Sequence, residues 1–247
     1  LAAKVTYDGT AANAQNSYGA IVEGKAVCEG YAEAFQHLLR KAGIQSFIMT
    51  GVSNNPSTGT PEGHAWNAVR IDGKYYHVDT TWDDQGEKIF YAYFNKSDAA
   101  IGEDHTIHTA DYALPICNSD TADYFFVNGG RLPAFDLDAV AALLANGRGT
   151  ARIYVTGDKE AFAAAIGNSD NILSLAAKLG YTGGIQYGYA NLGREFILTL
   201  RTTGVAVSGT VTSFLSAADE VTIRLTEMGE TAPIFTTTVT GGTQNGN

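Results

Sequence analysis

The chain is poor in the residues that would indicate a disulfide scaffold, a membrane span or a nucleic-acid surface. Only two of its 247 residues are cysteine, too few for a disulfide framework. No apolar run approaches the ~18 residues of a membrane-spanning helix. Lys and Arg number 16 against 26 acidic residues, the formal net charge is −10, and basic residues never cluster. We therefore expect no membrane span, no nucleic-acid partner and no anionic-membrane partner.

A hydrophobic content of 45% favours a packed core over disorder, and the length allows one large domain or several small ones. Both ends of the sequence look internal to a longer protein, which leaves open a signal peptide ahead of residue 1. Composition changes near residue 120, and alternation with Thr, Val and Ile begins near residue 205. We therefore predict three parts: a catalytic domain at 1–120, a small α/β domain at 121–204, and a partial β-sandwich module at 205–247.

The middle part is predicted as a βαβαββ string. In chain order we expect a strand at 123–128, a helix at 137–144, a strand at 151–156, a helical stretch at 159–179 broken near 167–169, and two strands within 185–200.

Cys28, one of the two cysteines, lies where a short loop runs into a strongly helical segment. Apolar residues recur at helical spacing from Tyr31 to Ala42, and Gly43 supplies a stop signal. A thiol at a helix N-terminus feels the positive end of the helix dipole, which favours the nucleophilic thiolate. Because Cys28 shares the inward face of Tyr31, we expect a nucleophilic thiol that points into the domain.

Asp72-Gly73, between two alternating runs, is a strong signal for a β-hairpin. A two-residue loop pairs Ile71 with Lys74 and places four side chains on one face: His64, Trp66, His77 and Asp79. His64 and Asp79 are then diagonal neighbours with Cβ atoms roughly 7 Å apart or less, so they can hydrogen-bond. A one-residue slip of register would put them on opposite faces.

Acyl transfer from an amide needs a nucleophile, a base that takes and returns a proton, and a group that orients the base. Cys28, His64 and Asp79 fill these roles in that order. The backbone N–H of Cys28, free at the helix start, is a candidate oxyanion donor, and Tyr18 or Gln15 is a candidate second donor. We predict a Cys-His-Asp site that needs no cofactor and no metal.

Three sequence blocks carry a family resemblance: residues 24–32 (GKAVCEGYA), 63–67 (GHAWN) and 76–83 (YHVDTTWD). Together they resemble the bacterial transglutaminase-like, papain-like cysteine peptidase core over roughly residues 1–110. Residues 93–95 (YFN) and 104–106 (DHT) also resemble the end of such bacterial domains. The resemblance implies an α+β papain-like fold with the Cys on a central helix and the His and Asp on adjacent strands of an antiparallel sheet.

The resemblance also implies functions for the residues that it matches. Cys28 is carried over as nucleophile, His64 as base and Asp79 as orienting carboxylate, acting on peptide or glutamine amides through a thioester. Animal transglutaminases place a Trp directly after the Cys, where this chain has Glu29, so water and an amine both remain open as acceptors. The tail from residue 205 resembles repeated β-sandwich modules of secreted Gram-positive proteins. We therefore expect an extracellular or cell-surface protein whose partner is a peptide or protein, with cell-wall peptide included.

Other interpretations stay open beside the enzyme. The first is a non-catalytic module of a surface protein that binds peptide or glycan. A second is a disulfide between Cys28 and Cys117, which would consume the nucleophile. Trp66 and Trp82 could line a substrate groove or belong to the core. His77 is a rival to His64 as partner of the carboxylate on the same hairpin face.

Two further groups of residues contain side chains that can bind metals but lack the pattern of a metal site. His105 and His108 have an HxxH spacing but no evident third ligand, so we expect them in a solvated loop. Asp83, Asp84 and Glu87 lack the ligand spacing of a calcium loop.

Overall fold

The computed structural model describes residues 1–55, 58–108, 113–203, 220–226 and 233–240. The fold is a mixed α/β arrangement in two compact units. One unit holds Leu1–Tyr181 with Ile185–Arg201, and the other holds Thr182–Gly184 with Thr202–Asn247. The predicted boundaries at residues 120 and 204 remain predictions.

Six α-helices lie in the described residues: α1 (Cys28–Lys41), α2 (Asp98–Ile101), α3 (Tyr124–Val127), α4 (Leu137–Asn146), α5 (Lys159–Ile166) and α6 (Ser169–Lys178). A single π-helical turn covers Gly19–Glu23. The strands ahead of α4 are β1 (Thr6–Tyr7), β2 (Lys25–Ala26), β3 (Ser46–Asn54), β4 (Pro61–Ile71), β5 (Lys74–Val78), β6 (Asp84–Gln85), β7 (Lys88–Ile89), β8 (Phe94–Lys96), β9 (His105–Ile107) and β10 (Arg131–Leu132). The later strands are β11 (Thr150–Val155), β12 (Gly184–Leu192), β13 (Glu195–Thr203), β14 (Glu220–Thr226) and β15 (Pro233–Thr240).

Helix α1 begins at Cys28, as predicted, and is followed by Gly43 in the left-handed conformation at φ +75°. It packs across β3 and β4. Asn67 on β4 donates its side-chain N–H to the carbonyl oxygen of Ala32 at 3.0 Å, which ties the helix to the sheet. Cys28, Ala32 and Ala65 are buried together in one small apolar cluster. The start of the helix is therefore held against the middle of β4.

The first sheet has five strands in the order β8-β5-β4-β3-β9, all paired antiparallel. The predicted hairpin register is confirmed, with Ile71 opposite Lys74 and Ala68 opposite His77. The two turn residues, Asp72 and Gly73, have φ of +48° and +82°. Two positive φ angles define the type I′ turn that matches the twist of the strands, so the Asp-Gly pair sets the register.

Strand β9, which the sequence analysis did not predict, forms one edge of this sheet by pairing Ser53 with His105. Its approach depends on Gly51. A Cβ at that position would lie 2.1 Å from the carbonyl oxygen of Thr106 and 2.9 Å from the ring of Trp66. Any side chain at residue 51 would therefore push β9 away or displace the tryptophan ring.

Residues after 120 build a second sheet in the order β10-β11-β13-β12, which shares a hydrophobic core with α4, α5 and α6. The predicted break in the helical stretch is confirmed: α5 ends at Ile166, and Asn168 caps α6. The strand predicted at 123–128 is wrong. Asp123 accepts hydrogen bonds from the N–H groups of Phe125 and Phe126, both at 2.9 Å, and this N-cap starts the short helix α3.

A buried lysine lies between the two sheets. Lys96 on β8 pairs with the Asp123 carboxylate, and both side chains are buried. Its ammonium group lies 3.9 Å from the ring centre of Tyr154 and 5.0 Å from that of Phe125. This ion pair thus joins the first sheet to α3 and β11.

Beyond residue 203, the second unit is described through the antiparallel pair β14 and β15, with Glu220 opposite Thr240. Strand β14 lies within the stretch 205–247, where the sequence predicts strands. The strand predicted from residue 205 falls on 204–219, outside the described residues, and the β-sandwich module remains a prediction. No helix within the described residues is long and apolar enough to cross a membrane.

Candidate active site

Cys28 occupies the first turn of α1 and is 6% exposed. The residue before it, Val27, has extended backbone, so the N–H groups that follow are the unpaired donors of a helix start. The Cys28 sulfur lies 3.2 Å from Oε2 of Glu29, to which the S–H can donate. The thiol belongs to the same apolar cluster as Ala65, and its hydrogen bond and charge act on His64, the preceding residue of β4.

His64 and Asp79 form a buried pair, with Nε2 and Oδ2 2.6 Å apart. Burial alone would lower the pKa of His64. The charge of Asp79 and its hydrogen bond, together with a hydrogen bond and charge from Cys28, instead raise that pKa to about 9. Since Asp79 occupies Nε2, the Nδ1 atom of His64 is left for the thiol. The prediction that the hairpin brings His64 to Asp79 is thus confirmed in geometry.

Asp79 is held by four hydrogen bonds. Its Oδ1 accepts from the backbone N–H groups of Thr81 at 2.9 Å and Trp82 at 3.1 Å. Its Oδ2 faces Nε2 of His64 at 2.6 Å and Nε2 of His105 at 3.2 Å. Burial would raise the pKa of Asp79, but the two histidines hold it well below the usual range. An ionised carboxylate can accept about four hydrogen bonds, so these four donors use all of its acceptor sites.

The position of His105 overturns the expectation that it lies in a solvated loop with His108. Its side chain is fully buried, and Nδ1 lies 2.6 Å from Oδ1 of Asp104 while Nε2 faces Asp79. His108 is exposed. One signal for this position was present, the resemblance at residues 104–106, but no periodicity could pair a three-residue strand with β3, fifty residues earlier.

Aromatic side chains enclose the two histidines. The Trp82 ring centre lies 4.9 Å from those of both His64 and His105, and Trp66 lies 4.9 Å from His105. Trp66 and Trp82 are only 1% and 5% exposed. Of the two interpretations offered for these tryptophans, the structure therefore favours core packing over the lining of an open groove.

His77 shares the hairpin face but is committed elsewhere. The indole N–H of Trp66 donates to its Nδ1 at 3.0 Å, and its Nε2 lies 2.9 Å from Oδ1 of Asp98. Because Nδ1 accepts, Nε2 must carry the proton that goes to Asp98. Burial lowers the pKa of His77, in keeping with a neutral ring. With both nitrogens engaged, His77 is not a base for Cys28.

Among the residues that the structure describes, two clusters have the residue types of a metal site: His64 with Asp79 and His105, and His77 with Asp98 and Cys117. In the first cluster, Nε2 of His64 and Oδ2 of Asp79 are 2.6 Å apart, which is a hydrogen-bond distance. Two ligands of one tetrahedral ion, each ~2.0–2.1 Å from it, stand ~3.3 Å apart. In the second, the proton on Nε2 of His77 occupies the position that a metal would need. Hydrogen bonding accounts for both clusters.

The remaining predicted residues lie in several places. Tyr18 and Gln15 are exposed, and their role as oxyanion donors remains a prediction. Cys28 and Cys117 are both free, so the disulfide alternative does not occur in this structure. Asp83 is buried and accepts from the backbone N–H of Tyr93 at 2.9 Å, which accounts for it without calcium.

One neighbour of the thiol was missed by the sequence analysis. Tyr7, on β1, is 60% exposed, and its pKa is raised first by partial burial and then by the charges of Cys28, Glu62 and Glu29. The charge of Cys28 acts on Tyr7, so this tyrosine lies near the thiol. Nothing in the spacing of residue 7 pointed to this position, because β1 is two residues long and pairs with β2.

Comparisons with known proteins show similarities in sequence and in structure. Residues 1–80 match the model of the transglutaminase-like superfamily. Among curated proteins, the kyphoscoliosis peptidases of Homo sapiens and Mus musculus are each 38% identical over 64 residues, which cover 24% of this chain. The chain spans about 10% of the length of these relatives.

Two solved structures are also similar. One, described as a TGase, is 25% identical with a TM-score of 0.27, over 32% of this chain and 23% of that one. The other, described as a candidate cysteine protease of Cytophaga hutchinsonii, is 21% identical with a TM-score of 0.30, over 49% and 46% of the two chains. From the sequence match at its first 80 residues, this chain contains a transglutaminase-like domain.

Proposed function

We propose that the chain is a thiol-dependent acyl-transfer enzyme of the papain-like kind, acting on peptide or glutamine amide bonds through a thioester. Cys28 is the nucleophile, His64 the base and Asp79 the group that orients the base. The observation that carries the proposal is the buried His64–Asp79 pair at 2.6 Å beside a thiol at a helix N-terminus. The similarity of the domain to cysteine peptidases and transglutaminases supports the same reaction class.

The first half of the reaction follows from the positions of the three side chains. Nδ1 of His64 takes the Cys28 proton, and the thiolate attacks the amide carbonyl carbon. The unpaired N–H groups at the start of α1 stabilise the oxyanion. The C–N bond then breaks, the amine leaves with the proton from His64, and the thioester remains on Cys28.

The second half reverses these steps with a new acceptor. Water or a primary amine loses a proton to His64 and attacks the thioester. The C–S bond breaks and the Cys28 thiolate recovers its partnership with the imidazolium. Water as acceptor makes the enzyme a peptidase, whereas an amine makes it a cross-linking or transferase enzyme. Glu29, in contact with the thiol, leaves both acceptors open.

The setting of this reaction is proposed from the sequence. A peptide or protein is the substrate, with cell-surface or cell-wall peptide as one source. An extracellular or cell-surface location, a bacterial source and a multi-domain protein belong to the same proposal.

The test measures the rate of Cys28 alkylation by iodoacetamide from pH 5 to 9. Burial raises the pKa of the Cys117 thiol to about 12, so labelling of the native chain reports on Cys28. An ion-paired thiolate gives rapid labelling at pH 6, and His64→Ala abolishes that low-pH phase. Cys28→Ala should remove labelling altogether, and the exposed His108→Ala should leave the profile unchanged.

The alternative is a non-catalytic module that binds peptide or glycan. In that case the thiol would label as an ordinary cysteine, with a pKa of about 8.5, and His64→Ala would change nothing. That result would reject the enzyme.

A further inference from the structure

Two histidines share a single carboxylate oxygen in this domain. Oδ2 of Asp79 lies 2.6 Å from His64 and 3.2 Å from His105. His105 continues outward, because its Nδ1 lies 2.6 Å from Oδ1 of Asp104, whose other oxygen accepts the O–H of Tyr93 at 2.6 Å. The proposed triad thus extends into a chain of hydrogen bonds that ends on a tyrosine.

The hydrogen-bond partners of His105 determine its charge. An ionised carboxylate only accepts hydrogen bonds, and both ring nitrogens of His105 face carboxylate oxygens. Both nitrogens must therefore carry a proton, which makes the ring an imidazolium. Burial would lower the pKa of His105, but hydrogen bonds and charge from Asp104 and Asp79 raise it to about 9.

The surroundings of the ring match a buried cation. The titratable groups that face it are Asp79, Asp104, His64, His77 and Tyr93. Negative and positive groups alternate along the chain from Asp104 through His105 and Asp79 to His64. In a water-excluded interior, such alternation stabilises each member by its neighbours. His105 supplies a positive charge at Oδ2 of Asp79, the oxygen that also binds His64.

We infer that His105 is a positioning residue, which holds the Asp79 carboxylate with Oδ2 towards His64 and so keeps Nδ1 of His64 aimed at Cys28. This inference rests on the proposed function. The backbone N–H groups of Thr81 and Trp82 fix only Oδ1 of Asp79.

The path of the backbone serves this placement. Strand β9 carries His105 to the edge of β3, where the N–H of Asn54 donates to the carbonyl oxygen of Asp104 at 2.8 Å. Gly51 removes the side chain that would block the approach of β9. The edge strand therefore delivers one buried cation to Oδ2 of the carboxylate.

The test uses two neutral substitutions that keep different donors. In His105→Gln, the longer side chain places its N–H₂ near the original Nε2, so the bond to Asp79 survives. In His105→Asn, the shorter side chain reaches only the position of Nδ1, so the bond to Asp104 survives. Both lose the same charge. We expect His105→Asn to slow alkylation of Cys28 at pH 6 roughly 10- to 100-fold, the effect of one lost charged hydrogen bond, and His105→Gln to recover most of that rate.

The comparison of these two variants needs a control variant and a result that would contradict the inference. His108→Asn, exposed at the end of the same strand, should match the unaltered protein. Equal rates for His105→Asn and His105→Gln, whether both normal or both slow, would overturn the inference, since a merely structural role does not distinguish the two donors. Failure of the proposed function is seen separately, as an ordinary thiol profile in the unaltered protein.

A second measurement uses the unaltered protein, so it does not depend on whether a variant folds. Nitrogen-15 NMR of histidine-labelled protein at pH 7 distinguishes imidazolium from neutral rings, and the chain has only five histidines. We expect His105 to show two protonated nitrogens and His77 to be neutral with its proton on Nε2. A neutral His105 at pH 7 with its proton on Nδ1 could not donate to Asp79, and it would overturn the inference even if Cys28 proves reactive.

Discussion

Substituting Asp79 by Asn tests the proposed triad with the smallest change in shape. The two backbone donors at Oδ1 hold the amide oxygen in place, so the N–H₂ group replaces Oδ2 and points at His64. An amide nitrogen donates, so Nε2 of His64 must accept and the ring proton moves to Nδ1. That tautomer presents a proton to Cys28 instead of a lone pair. The imidazole can then no longer take the proton of the thiol.

The magnitude follows from the pKa of His64. Its rise from 6.5 to about 9 corresponds to about 3 kcal/mol in favour of the charged ring, most of it due to Asp79. Losing this preference should slow Cys28 alkylation at pH 6 by about 100-fold. Turnover on an amide substrate should fall by ~10⁴-fold, the loss that a wrong tautomer causes in serine-protease triads.

The assay is the pH profile of alkylation, followed by mass spectrometry of the labelled peptide. The matched control is Asp72→Asn in the hairpin turn, where φ is +48° and Asn is well tolerated. Its profile should equal that of the unaltered protein. If Asp79→Asn also keeps the original low-pH reactivity while its circular dichroism is unchanged, the pairing of carboxylate and imidazole plays no part in thiol activation.

Three further outcomes are expected. Gly51→Ala should lower the free energy of unfolding by ~1–3 kcal/mol, because its Cβ would meet the backbone of β9; denaturant titration measures this. The two histidines that share Asp79 have folded-state pKa values raised to about 9, above the unfolded 6.5. The stabilisation that these charged histidines give to the fold is therefore complete below pH 6.5 and is lost as the pH rises through 9. The free energy of unfolding should fall by up to about 1.4 kcal/mol per pH unit for each ring, and thermal melts across that range measure this fall. Lys96→Met should lower the free energy of unfolding by about 3–5 kcal/mol by leaving Asp123 buried without its partner, as thermal melts will report.

Matched substitutions control for the two variants. Gly63→Ala, in the neighbouring strand β4, meets no atom within 4 Å and should be nearly neutral. Lys88→Met, at an exposed position, should change stability by at most about 0.5 kcal/mol. A flat stability profile from pH 6.5 to 9 would mean that neither histidine is held charged by the fold.

The local parts of the site were predictable from the sequence because they depend on short-range rules. An Asp-Gly turn fixes the hairpin register, and the register puts His64 and Asp79 on one face. The helical period placed Cys28 at the start of α1. In these cases the chemistry and the spacing lie within a few residues of each other, so the pattern alone predicted the geometry.

The parts that failed depend on long-range pairing or on side-chain capping. His105 was expected in solvent because β9 has three residues and finds its partner strand in β3. The segment at 123–128 has the aromatic content of a strand, but the carboxylate of Asp123 captures two N–H groups and starts a helix instead. Neither effect leaves a periodic signal in the sequence.

The position of β9 bears on where this domain ends. A fragment of residues 1–80 would contain Cys28, His64 and Asp79, and it would coincide with the stretch that matches the superfamily. It would lack His105 and therefore one of the two ring donors that face Oδ2 of Asp79. A fragment that keeps β9 must reach residue 107, well past the end of the stretch that matches the superfamily model.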